Sequence, residues 1–464
     1  MKILKEIEQD KGIFALKYKG ISIWPVLRLK SFYQILEQQK GATNITRKLN
    51  KSSVLVILKC FFYGFSELFK LSRYDYLVFS CSERRKHVDG LYPERVVEGF
   101  LSQTNSLLIE NPFPLGKHYR KDQIPTKSIM SESILFIGIF ILGFFGYKKS
   151  ALENEKVFLD IQKKYDFKIN YNRFLLIYEG QYRLIKLLLK CFKKPKAVFF
   201  VYSASSMGYI RAFKEFNVPV IEIQHGVINK EHNAYNVYND FGNELFPDYL
   251  LTYGYRELEV FNNPENYFIN PKNVTPVGYY LLDKYLSNQS DDQTEYIQNY
   301  KKKYKTIVAY THQEVYEKEI LDFLIESANL APNVLFLLLP RFDLKEVREN
   351  MPENLIIEKN LNVYDCLRFV DIHSTIFSTC AIESLSFGVP NIMYNYQNFS
   401  KSYYADILGD VNHTIFVDSP YEFVHAISAH NFESKAYIAS ASDNFFKRDF
   451  ISNMNHFIKE ELNS

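Results

Sequence analysis

The stretch Ser374-Thr-Ile-Phe-Ser-Thr-Cys-Ala-Ile-Glu-Ser-Leu-Ser-Phe-Gly-Val-Pro390 decides the fold, because it joins a strand to a capped helix and then stops that helix. The apolar segment Val370-Asp-Ile372 before it predicts the end of a buried strand. A hydroxyl at Ser378 or Thr379 can cap the helix by accepting a hydrogen bond from its first turn. Gly388-Val-Pro390 ends it, because glycine suits the left-handed position after a helix and proline forbids continuation.

This helix also predicts a binding function. Its first turn offers free N–H groups and the positive end of a dipole, which suit a phosphate. Glu383 follows Thr379 by four residues, so the two side chains share one face of the helix. We therefore expect a nucleotide diphosphate at the start of the helix, with sugar hydroxyls near Glu383. The alternative is a capped helix whose glutamate is only solvated.

Length and composition narrow the class of protein. A chain of 464 residues predicts two domains or slightly more, and a hydrophobic content of 47% predicts a globular protein. A net charge of +3 is too small to argue for nucleic-acid binding. The five cysteines form no CxxC pair, and the N-terminus has no cleavable signal pattern. These features predict a reduced cytoplasmic protein.

Two apolar stretches, residues 54–71 and 134–147, complicate that prediction. The second is about 14 residues long and is followed by Lys148-Lys149, whereas a bilayer span needs about 20 residues. One interpretation is a pair of buried helices. The other is an apolar surface that rests on the inner leaflet of a membrane. We expect a location on the inner-membrane surface, without a transmembrane span.

Strands alternate with helices along most of the chain, at the spacing of βαβ units. Strands are predicted at 74–80, 106–110, 197–201, 218–223, 248–252 and 273–278, and then at 306–310, 333–339, 354–358, 391–394 and 414–417. This pattern predicts the fold class α/β with two Rossmann-like domains. We place them at 1–285, with the membrane-associating helices, and at 286–464, with a C-terminal helix that crosses back. Polar residues at the strand ends of both halves are expected to face a central cleft.

Gln224-His225-Gly226 follows a predicted strand of the first half and carries the catalytic candidate. A histidine has an unperturbed pKa of about 6.5, which suits proton abstraction at neutral pH. Gly226 is expected to permit a tight exit from the strand. The alternative is a structural histidine. Asn229, Glu231 and His232 lie in the loop that follows, and they can hold an acceptor or a sugar ring.

Arg341, Thr311 and His312 are candidates for phosphate binding in the second half. Each follows a predicted strand, and an arginine can bind a phosphate through two hydrogen bonds. The alternative for each is a polar surface residue. Because carboxyl ends of parallel strands meet at one edge of a sheet, the three candidates support one another.

Missing motifs exclude several enzyme classes. The sequence has no GxxxxGK[ST] loop, no GxGxxG after a strand, no HExxH and no Cys/His cluster with zinc spacing. No Asp-x-Asp ends an apolar strand. We therefore expect no metal and no cofactor besides a nucleotide-linked substrate. Arg341, hydroxyls and a helix dipole would stabilise the leaving diphosphate.

Four short blocks within residues 74–420 resemble one enzyme group. Ser374 to Pro390 resembles the nucleotide-binding signature of GT-B glycosyltransferases. Ile223-Gln-His-Gly226 resembles the strand-end His-Gly of bacterial capsule, O-antigen and teichoic-acid transferases, including relatives of the CDP-glycerol glycerophosphotransferases. Pro340-Arg341 resembles their phosphate-binding loop. Tyr76 to Arg85, with Asp89-Gly90, resembles the first strand and acceptor-side loop of surface-polysaccharide enzymes.

The resemblance implies roles for particular residues. Glu383 would bind the ribose of the nucleotide, and Ser378, Thr379 and Arg341 would bind its phosphates. His225 would be the general base, or else a ligand of the donor phosphate.

Two positions qualify those roles. Retaining members of the fold carry a second glutamate where this chain has Asn391-Ile392, so the resemblance favours inversion. Thr311-His312-Gln313 stands where many relatives have a glycine-rich loop, which leaves the donor open.

The function predicted from these features is an inverting, metal-independent glycosyltransferase. Its donor would be a nucleotide-sugar. Its acceptor would be a growing surface polysaccharide, such as a capsule, O-antigen or lipopolysaccharide chain, or a lipid-linked precursor. The alternatives are a sugar-nucleotide 2-epimerase, a CDP-polyol phosphotransferase and a non-catalytic scaffold of a capsule-assembly complex. The apolar stretches argue against the epimerase, which has no lipid-linked substrate.

Overall fold

A computed structural model describes residues 2–40, 51–88, 90–287, 294–340, 343–345, 348, 350–359, 361–409, 413–429 and 431–462. Arg341 and Asp89, which the sequence singled out, lie outside the described residues. The chain divides into two compact units. Unit 1 comprises Met1–Tyr280 and Asp449–Ser464, and unit 2 comprises Leu281–Arg448. The chain therefore leaves unit 1 a few residues before the predicted boundary at 285.

Unit 1 has most of the chain's helices and two sheets. Its helices are α1 (Lys2–Gln9), α2 (Trp24–Lys40), α3 (Lys51–Cys60), α4 (Glu98–Gln103), α5 (Ser133–Gly146), α6 (Glu155–Lys164), α7 (Tyr171–Cys191), α8 (Met207–Glu215) and α9 (Leu258–Phe261). Its strands are β1 (Lys17–Tyr18), β2 (Ile21–Ser22), β3 (Tyr76–Cys81), β4 (Ser106–Asn111), β5 (Ile129–Ser131), β6 (Leu152–Glu153), β7 (Ala197–Phe200), β8 (Val220–Ile223), β9 (Tyr249–Thr252) and β10 (Val274–Pro276). Short 3-10 helices span Lys11–Ala15, Phe65–Arg73, Ser82–Arg84, Lys121–Gln123, Lys149–Ala151 and Pro271–Asn273.

Unit 2 continues the alternation, and the chain then returns to unit 1. The helices are α10 (Tyr280–Ser287), which begins at the last residue of unit 1's first segment, α11 (Thr294–Lys303), α12 (Glu317–Leu330), α13 (Val363–Leu367), α14 (Cys380–Glu383), α15 (Phe399–Leu408), α16 (Pro420–Ala429), α17 (Lys435–Ala441) and, back in unit 1, α18 (Phe450–Phe457). The strands are β11 (Thr306–Thr311), β12 (Val334–Leu339), β13 (Leu355–Ile357), β14 (Ile372–Ser374), β15 (Asn391–Tyr394) and β16 (Thr414–Val417). Shorter helical turns span Glu314–Tyr316, Ser384–Phe387, Tyr396–Asn398, Ser442–Asn444 and Ile458–Leu462.

The main sheet of unit 1 has seven parallel strands in the order β10-β9-β8-β7-β3-β4-β5. Strands such as Leu107-Leu-Ile109 are apolar throughout because both faces of a parallel sheet are buried. From β3 the chain first adds strands on one side, through β4 to β5, and then on the other, beginning with β7. The crevice beside β3 and β7 is therefore the topological switch point, where open α/β sheets bind ligands.

Unit 2 also has a parallel sheet with a switch point. Its six strands lie in the order β13-β12-β11-β14-β15-β16. Its switch point lies where β11 and β14 are neighbours. The fold class predicted from the sequence, α/β with two Rossmann-like halves, is confirmed. The predicted cleft between the halves stays a prediction.

Helix α5 corresponds to the apolar stretch predicted at 134–147, and it is buried along one side only. It packs closely on α7 because glycines leave room: a Cβ at Gly180 would meet the carbonyl oxygen of Ile139 at 2.1 Å, and one at Gly143 would meet that of Leu176 at 2.4 Å. Phe144 and Phe145 nevertheless stay 71% and 76% exposed. Among the described residues, no helix is long and apolar enough to cross a membrane.

Candidate functional site

The switch point of unit 1 brings together side chains from the ends of three neighbouring strands. Arg84 ends the short helix after β3, Tyr202 follows β7, and His225 follows β8. The Tyr202 ring stands edge-on to the His225 imidazole, with their centroids 5.4 Å apart. The catalytic candidate from the sequence therefore lies where the topology predicts a ligand.

The backbone around His225 is fixed by its neighbours. The buried amide of Gln224 donates to the Gly226 carbonyl at 2.9 Å and to a carboxylate oxygen of Glu257 at 2.8 Å. Its oxygen accepts from the Tyr253 N–H at 2.6 Å. Arg95 donates to the His225 carbonyl at 3.2 Å. These bonds hold the strand-end turn in place.

His225 is neutral at physiological pH. Burial, and then the charges of Arg84, His232 and Arg95, lower its pKa well below 6.5, while the Val201 carbonyl acts weakly in the opposite direction. Its Nδ1 is buried and accepts no hydrogen bond from any residue that the structure describes. The imidazole thus has a free lone pair, which is the state a general base requires.

Gly226 lies in the strand-end turn next to His225. Its φ does not lie in the left-handed region, so the turn does not require glycine for its backbone angle. A Cβ added there would meet no atom within 4 Å. The glycine therefore leaves open space at this position, while the tight exit stays a prediction.

Glu222, three residues before His225, and His87, in the loop after β3, are the other candidates for a general base in unit 1. Glu222 is buried and accepts a hydrogen bond from the Tyr235 hydroxyl at 2.8 Å. Burial raises its pKa to about 7, although Ser203, Tyr235 and Arg84 favour the charged form. His87 is exposed and lies against Tyr92, with ring centroids 5.1 Å apart.

Hydrogen bonds within the loop after Gly226 hold it in place. Asn229 accepts from the N–H of Glu231 at 3.0 Å, and the His232 imidazole accepts from the Ala234 N–H at 3.3 Å. Burial lowers the pKa of His232 to about 4, so it is neutral as well. Glu231 is exposed. Of the three loop residues named from the sequence, only Glu231 is thus open to solvent.

In unit 2, Thr311 turns toward the interior of the switch point. Its hydroxyl lies 2.7 Å from Nε2 of His373, whose Nδ1 lies 2.7 Å from the Asn391 side-chain oxygen. The Asn391 amide nitrogen donates to the Ala381 carbonyl at 2.7 Å, so its oxygen must face the imidazole. His373 therefore donates from Nδ1 and accepts the Thr311 hydroxyl at Nε2. Burial lowers the pKa of His373 to about 4.

His312 follows β11, as the sequence predicted. It is buried, and its Nε2 lies 3.7 Å from a carboxylate oxygen of Glu317 but makes no hydrogen bond with a described residue. Burial lowers its pKa, against the opposing charges of Glu317 and Glu314. Its neighbour Gln313 links the two strand-end loops, because its amide donates to the Thr375 hydroxyl at 2.6 Å. Phosphate binding by Thr311 and His312 stays a prediction.

The start of α14 has the predicted hydroxyl cap but not the predicted free N–H groups. The N–H of Cys380 donates to the Ser378 hydroxyl at 3.3 Å, and the N–H of Ala381 donates to the Ser378 carbonyl. The next two N–H groups donate to the Thr379 carbonyl, while the Thr379 side chain makes no capping bond. Ser378 is therefore the capping residue, and the N–H groups of 380–383 are not free. Both hydroxyls remain only half-buried.

Glu383 lies on α14, which continues as a 3-10 turn to Phe387. The carboxylate is 4% exposed and accepts a hydrogen bond from the Tyr364 hydroxyl at 2.9 Å. Tyr364 stacks near Phe387, with centroids 5.8 Å apart. Gly388 has φ +71°, and a Cβ there would meet the Lys435 carbonyl oxygen at 2.4 Å, so the predicted helix stop is confirmed.

Sequence reasoning missed Arg84, Tyr202 and His373 as parts of the two switch points. Arg84 and Tyr202 each follow a predicted strand, so the rule that strand ends carry ligand contacts had marked their positions. His373 lies inside a strand and gave no such signal. In the part of the chain that the structure describes, no group of three or more His, Cys, Asp or Glu is placed to hold a metal ion.

No protein-family model and no curated protein matches the sequence. Three solved structures illustrate its structural likenesses. The UDP-GlcNAc 2-epimerase of Methanocaldococcus jannaschii, solved with UDP-GlcNAc and UDP, is 12% identical, with a TM-score of 0.47 over 83% of this chain and 99% of that one. The glycotransferase of kitacinnamycin is 11% identical, with a TM-score of 0.49 over 84% and 100%. The wall teichoic acid polymerase TagF is 13% identical, with a TM-score of 0.44 over 94% and 98%.

Identities and TM-scores this low transfer no reaction, donor or acceptor to the present chain.

Proposed function

We propose that this chain is a metal-independent, inverting glycosyltransferase of the GT-B type. In this proposal it transfers a sugar from a nucleotide-sugar to a bacterial surface polysaccharide, such as a capsule or O-antigen chain, or to its lipid-linked precursor. The observation that carries the proposal is His225: a neutral imidazole with a buried, unpartnered Nδ1 at the switch point of a parallel sheet.

The chemistry follows from that state of His225. The acceptor hydroxyl transfers its proton to the imidazole while its oxygen forms a bond to the anomeric carbon. The bond from that carbon to the donor phosphate breaks, and its electron pair leaves with the nucleotide. A positioned base of this kind contributes about 10²–10⁴-fold to the rate. Inversion follows from a single displacement.

We assign donor binding to unit 2. Glu383 is the proposed ribose ligand, and the half-buried hydroxyls of Ser378 and Thr379 are the proposed phosphate ligands, together with Arg341 from the sequence. Thr311 is left out, because its hydroxyl is bonded to His373. His312 is kept as a proposed phosphate ligand, because its buried Nε2 makes no hydrogen bond with a described residue. Both Glu383 and Ser378 follow β14, one of the two strands at the switch point.

The test is release of free nucleotide from UDP-, CMP-, CDP- and GDP-linked donors, with and without a carbohydrate acceptor. We expect His225→Ala to lose at least a hundredfold in turnover while nucleotide affinity changes by less than tenfold. His87→Ala is the matched control, because that histidine is exposed. A chelator should leave turnover unchanged.

The outcomes separate the alternatives. An epimerase needs no acceptor, a CDP-polyol phosphotransferase uses only a CDP-linked donor, and a scaffold releases no nucleotide. Full activity of His225→Ala would refute the role of the imidazole. Loss of nucleotide affinity in that variant would make His225 a phosphate ligand.

We further propose that the chain binds the inner-membrane surface through an apolar surface of unit 1. This apolar surface is formed by exposed side chains of α3, of the 60–73 segment and of α5, namely Val54, Leu55, Leu58, Phe62, Phe69, Ile137, Phe140, Ile141, Phe144 and Phe145. Monomeric soluble proteins rarely expose so many large apolar side chains on adjoining elements. Lys148 and Lys149 follow α5 and suit anionic lipid headgroups.

Vesicle sedimentation tests this membrane proposal. The double variant Phe144→Ser with Phe145→Ser should bind phosphatidylglycerol-containing vesicles at least tenfold less tightly, because burying each ring contributes about 1.5–3 kcal/mol. Val315→Ser, which removes an exposed apolar side chain of unit 2, is the control and should bind normally. Equal binding by both variants, or no binding by the unchanged chain, would refute the proposal.

A further inference from the structure

Arg84 differs from two other arginines near the same sheet. Arg85, the next residue, is buried and donates to Glu110 at 2.5 Å and to the Tyr92 carbonyl at 2.9 Å. Arg28 is buried and pairs with Glu8 at 2.7 Å. The guanidinium of Arg84, by contrast, is half-buried and makes no hydrogen bond or ion pair with any residue that the structure describes.

The surroundings of Arg84 locate its charge at the switch point. The positive charge of Arg84 acts on Glu222, Tyr202 and His225, which belong to the ends of β8 and β7. It adds to the burial that lowers the pKa of His225, and it opposes the burial that raises the pKa values of Glu222 and Tyr202. Its backbone carbonyl accepts from the N–H of Arg95 at 3.3 Å. Arg95 reaches the same place, because its side chain donates to the His225 carbonyl. Two guanidinium groups therefore act on one histidine.

Two acidic side chains nearby, Glu222 and Glu94, form no ion pair with Arg84. Glu222 has a pKa of about 7, so its carboxyl is partly protonated at neutral pH. Glu94 is buried and is occupied by the Ser80 hydroxyl and by the N–H groups of Val96 and Val97. A half-buried guanidinium without an ion-pair partner is costly unless a ligand supplies one.

There is also room for a ligand. Apart from the neighbouring residues 225 and 227, no atom lies within 4 Å of the position of a Cβ added at Gly226. His225 contributes a buried, unpartnered Nδ1 to the same strand end. A fork-shaped donor, a second cation and free space are the features that bind a phosphate or a carboxylate.

We infer that Arg84 forms an oxyanion subsite beside His225, and that this subsite takes a phosphate or carboxylate group carried by the acceptor. The assignment to the acceptor rests on the proposed function, because the molecule beside a general base is the one that loses a proton to it. The enzyme would then select acidic acceptors, such as a phosphate-bearing or uronic-type glycan, over neutral ones. The other source of the same chemistry is the diphosphate of the donor.

Titration calorimetry with inorganic phosphate, at constant ionic strength and pH 7.5, tests the subsite. We expect Arg84→Gln to weaken phosphate binding at least tenfold and Arg84→Lys to restore part of it. Arg120→Gln is the matched control, because Arg120 is an exposed arginine of the same unit that pairs with Asp122, and it should bind phosphate normally. Thermal unfolding of Arg84→Gln should stay close to that of the unchanged chain, since the Arg84 side chain makes no hydrogen bond or ion pair with a described residue.

Titration of UDP, CDP, GDP and CMP into the same variants distinguishes the two sources. Unchanged nucleotide affinity in Arg84→Gln supports the acceptor assignment, whereas a parallel loss of nucleotide and phosphate affinity overturns it in favour of the donor. Phosphate binding that is insensitive to Arg84 overturns the subsite altogether. Neither measurement requires turnover, so a chain that binds phosphate through Arg84 but releases no nucleotide would refute the proposed function and leave the oxyanion subsite standing.

Discussion

The guanidinium of Arg28 and the carboxylate of Glu8 form an ion pair at 2.7 Å that is closed to solvent on all sides. The remaining donors of Arg28 reach the carbonyls of Asn233 and Asn236, each at 2.6 Å. Glu8 also accepts from the N–H of Tyr238 at 2.9 Å. The N-terminal helices α1 and α2 therefore hold the loop that follows His225.

Glu8→Gln should destabilise unit 1 by about 3–5 kcal/mol, because removing one partner leaves the buried Arg28 without a counter-charge. Trp24, the only tryptophan of the chain, donates to Glu8 at 3.0 Å, so its fluorescence during urea unfolding reports this region. Lys5→Gln is the control. It breaks an exposed pair with Glu265 and should cost no more than about 1 kcal/mol. Equal urea-unfolding midpoints for Glu8→Gln and Lys5→Gln would show that the buried ion pair of Glu8 and Arg28 does not stabilise unit 1.

The sequence could not predict the buried ion pair of Glu8 and Arg28. Residues 1–50 show a mixed polar and basic pattern, and nothing local marks Glu8 or Arg28 as buried. Their partners in the loop after His225, namely Asn233, Asn236 and Tyr238, lie more than two hundred positions away in the chain. Burial of a charge depends on the partner that folding brings to it, and periodicity carries no information about such a partner.

Glu132→Gln should make unit 1 more stable at alkaline pH. Burial raises the pKa of Glu132 to about 7, although Tyr209 and Asn111 donate to its carboxyl oxygens. A carboxyl with a raised pKa favours folding below about pH 4.5, and this stability is lost as the pH rises through 7. The stability of the variant relative to the unchanged chain should increase by up to about 3 kcal/mol between pH 5 and pH 8.

Urea unfolding at both pH values measures this difference. Glu222 and Glu257, which also have pKa values of about 7, are unaltered in the variant, so their effects cancel in the comparison. If the variant and the unchanged chain differ in unfolding free energy by the same amount at pH 5 and pH 8, Glu132 ionises as a glutamate does in water.

The sequence predicted most strands correctly because each is a short apolar run between polar turns, but it missed β1, β2, β5 and β6, which have only two or three residues each. Gly388 and Pro390 also predicted the end of the helix correctly, because the backbone preferences of glycine and proline are local. The role of Thr311 was not local. It depends on β11 and β14 being neighbours, which places His373 beside its hydroxyl, and strand order is decided by the whole sheet.

Thr311→Val should reduce stability without changing nucleotide affinity. The valine removes the hydroxyl that donates to Nε2 of His373 and leaves a buried acceptor unsatisfied, which costs about 1–3 kcal/mol. Nucleotide titration should give the affinity of the unchanged chain within twofold, and urea unfolding should show the loss. A weakened affinity with unaltered stability would return Thr311 to the donor site.

Glu383→Gln should weaken nucleotide-sugar binding more than it disturbs folding. Loss of a charge-assisted hydrogen bond to a ribose hydroxyl costs about 1.5–3 kcal/mol, or roughly ten- to a hundredfold in affinity. The glutamine can still accept from the Tyr364 hydroxyl, so the unfolding free energy should change by less than about 1 kcal/mol. Tyr364→Phe is the matched control. It removes the hydrogen bond between Tyr364 and Glu383 but keeps the carboxylate, so it should retain most of the affinity. If titration gives Glu383→Gln the affinity of the unchanged chain, Glu383 is a structural partner of Tyr364 and the ribose ligand must be another residue.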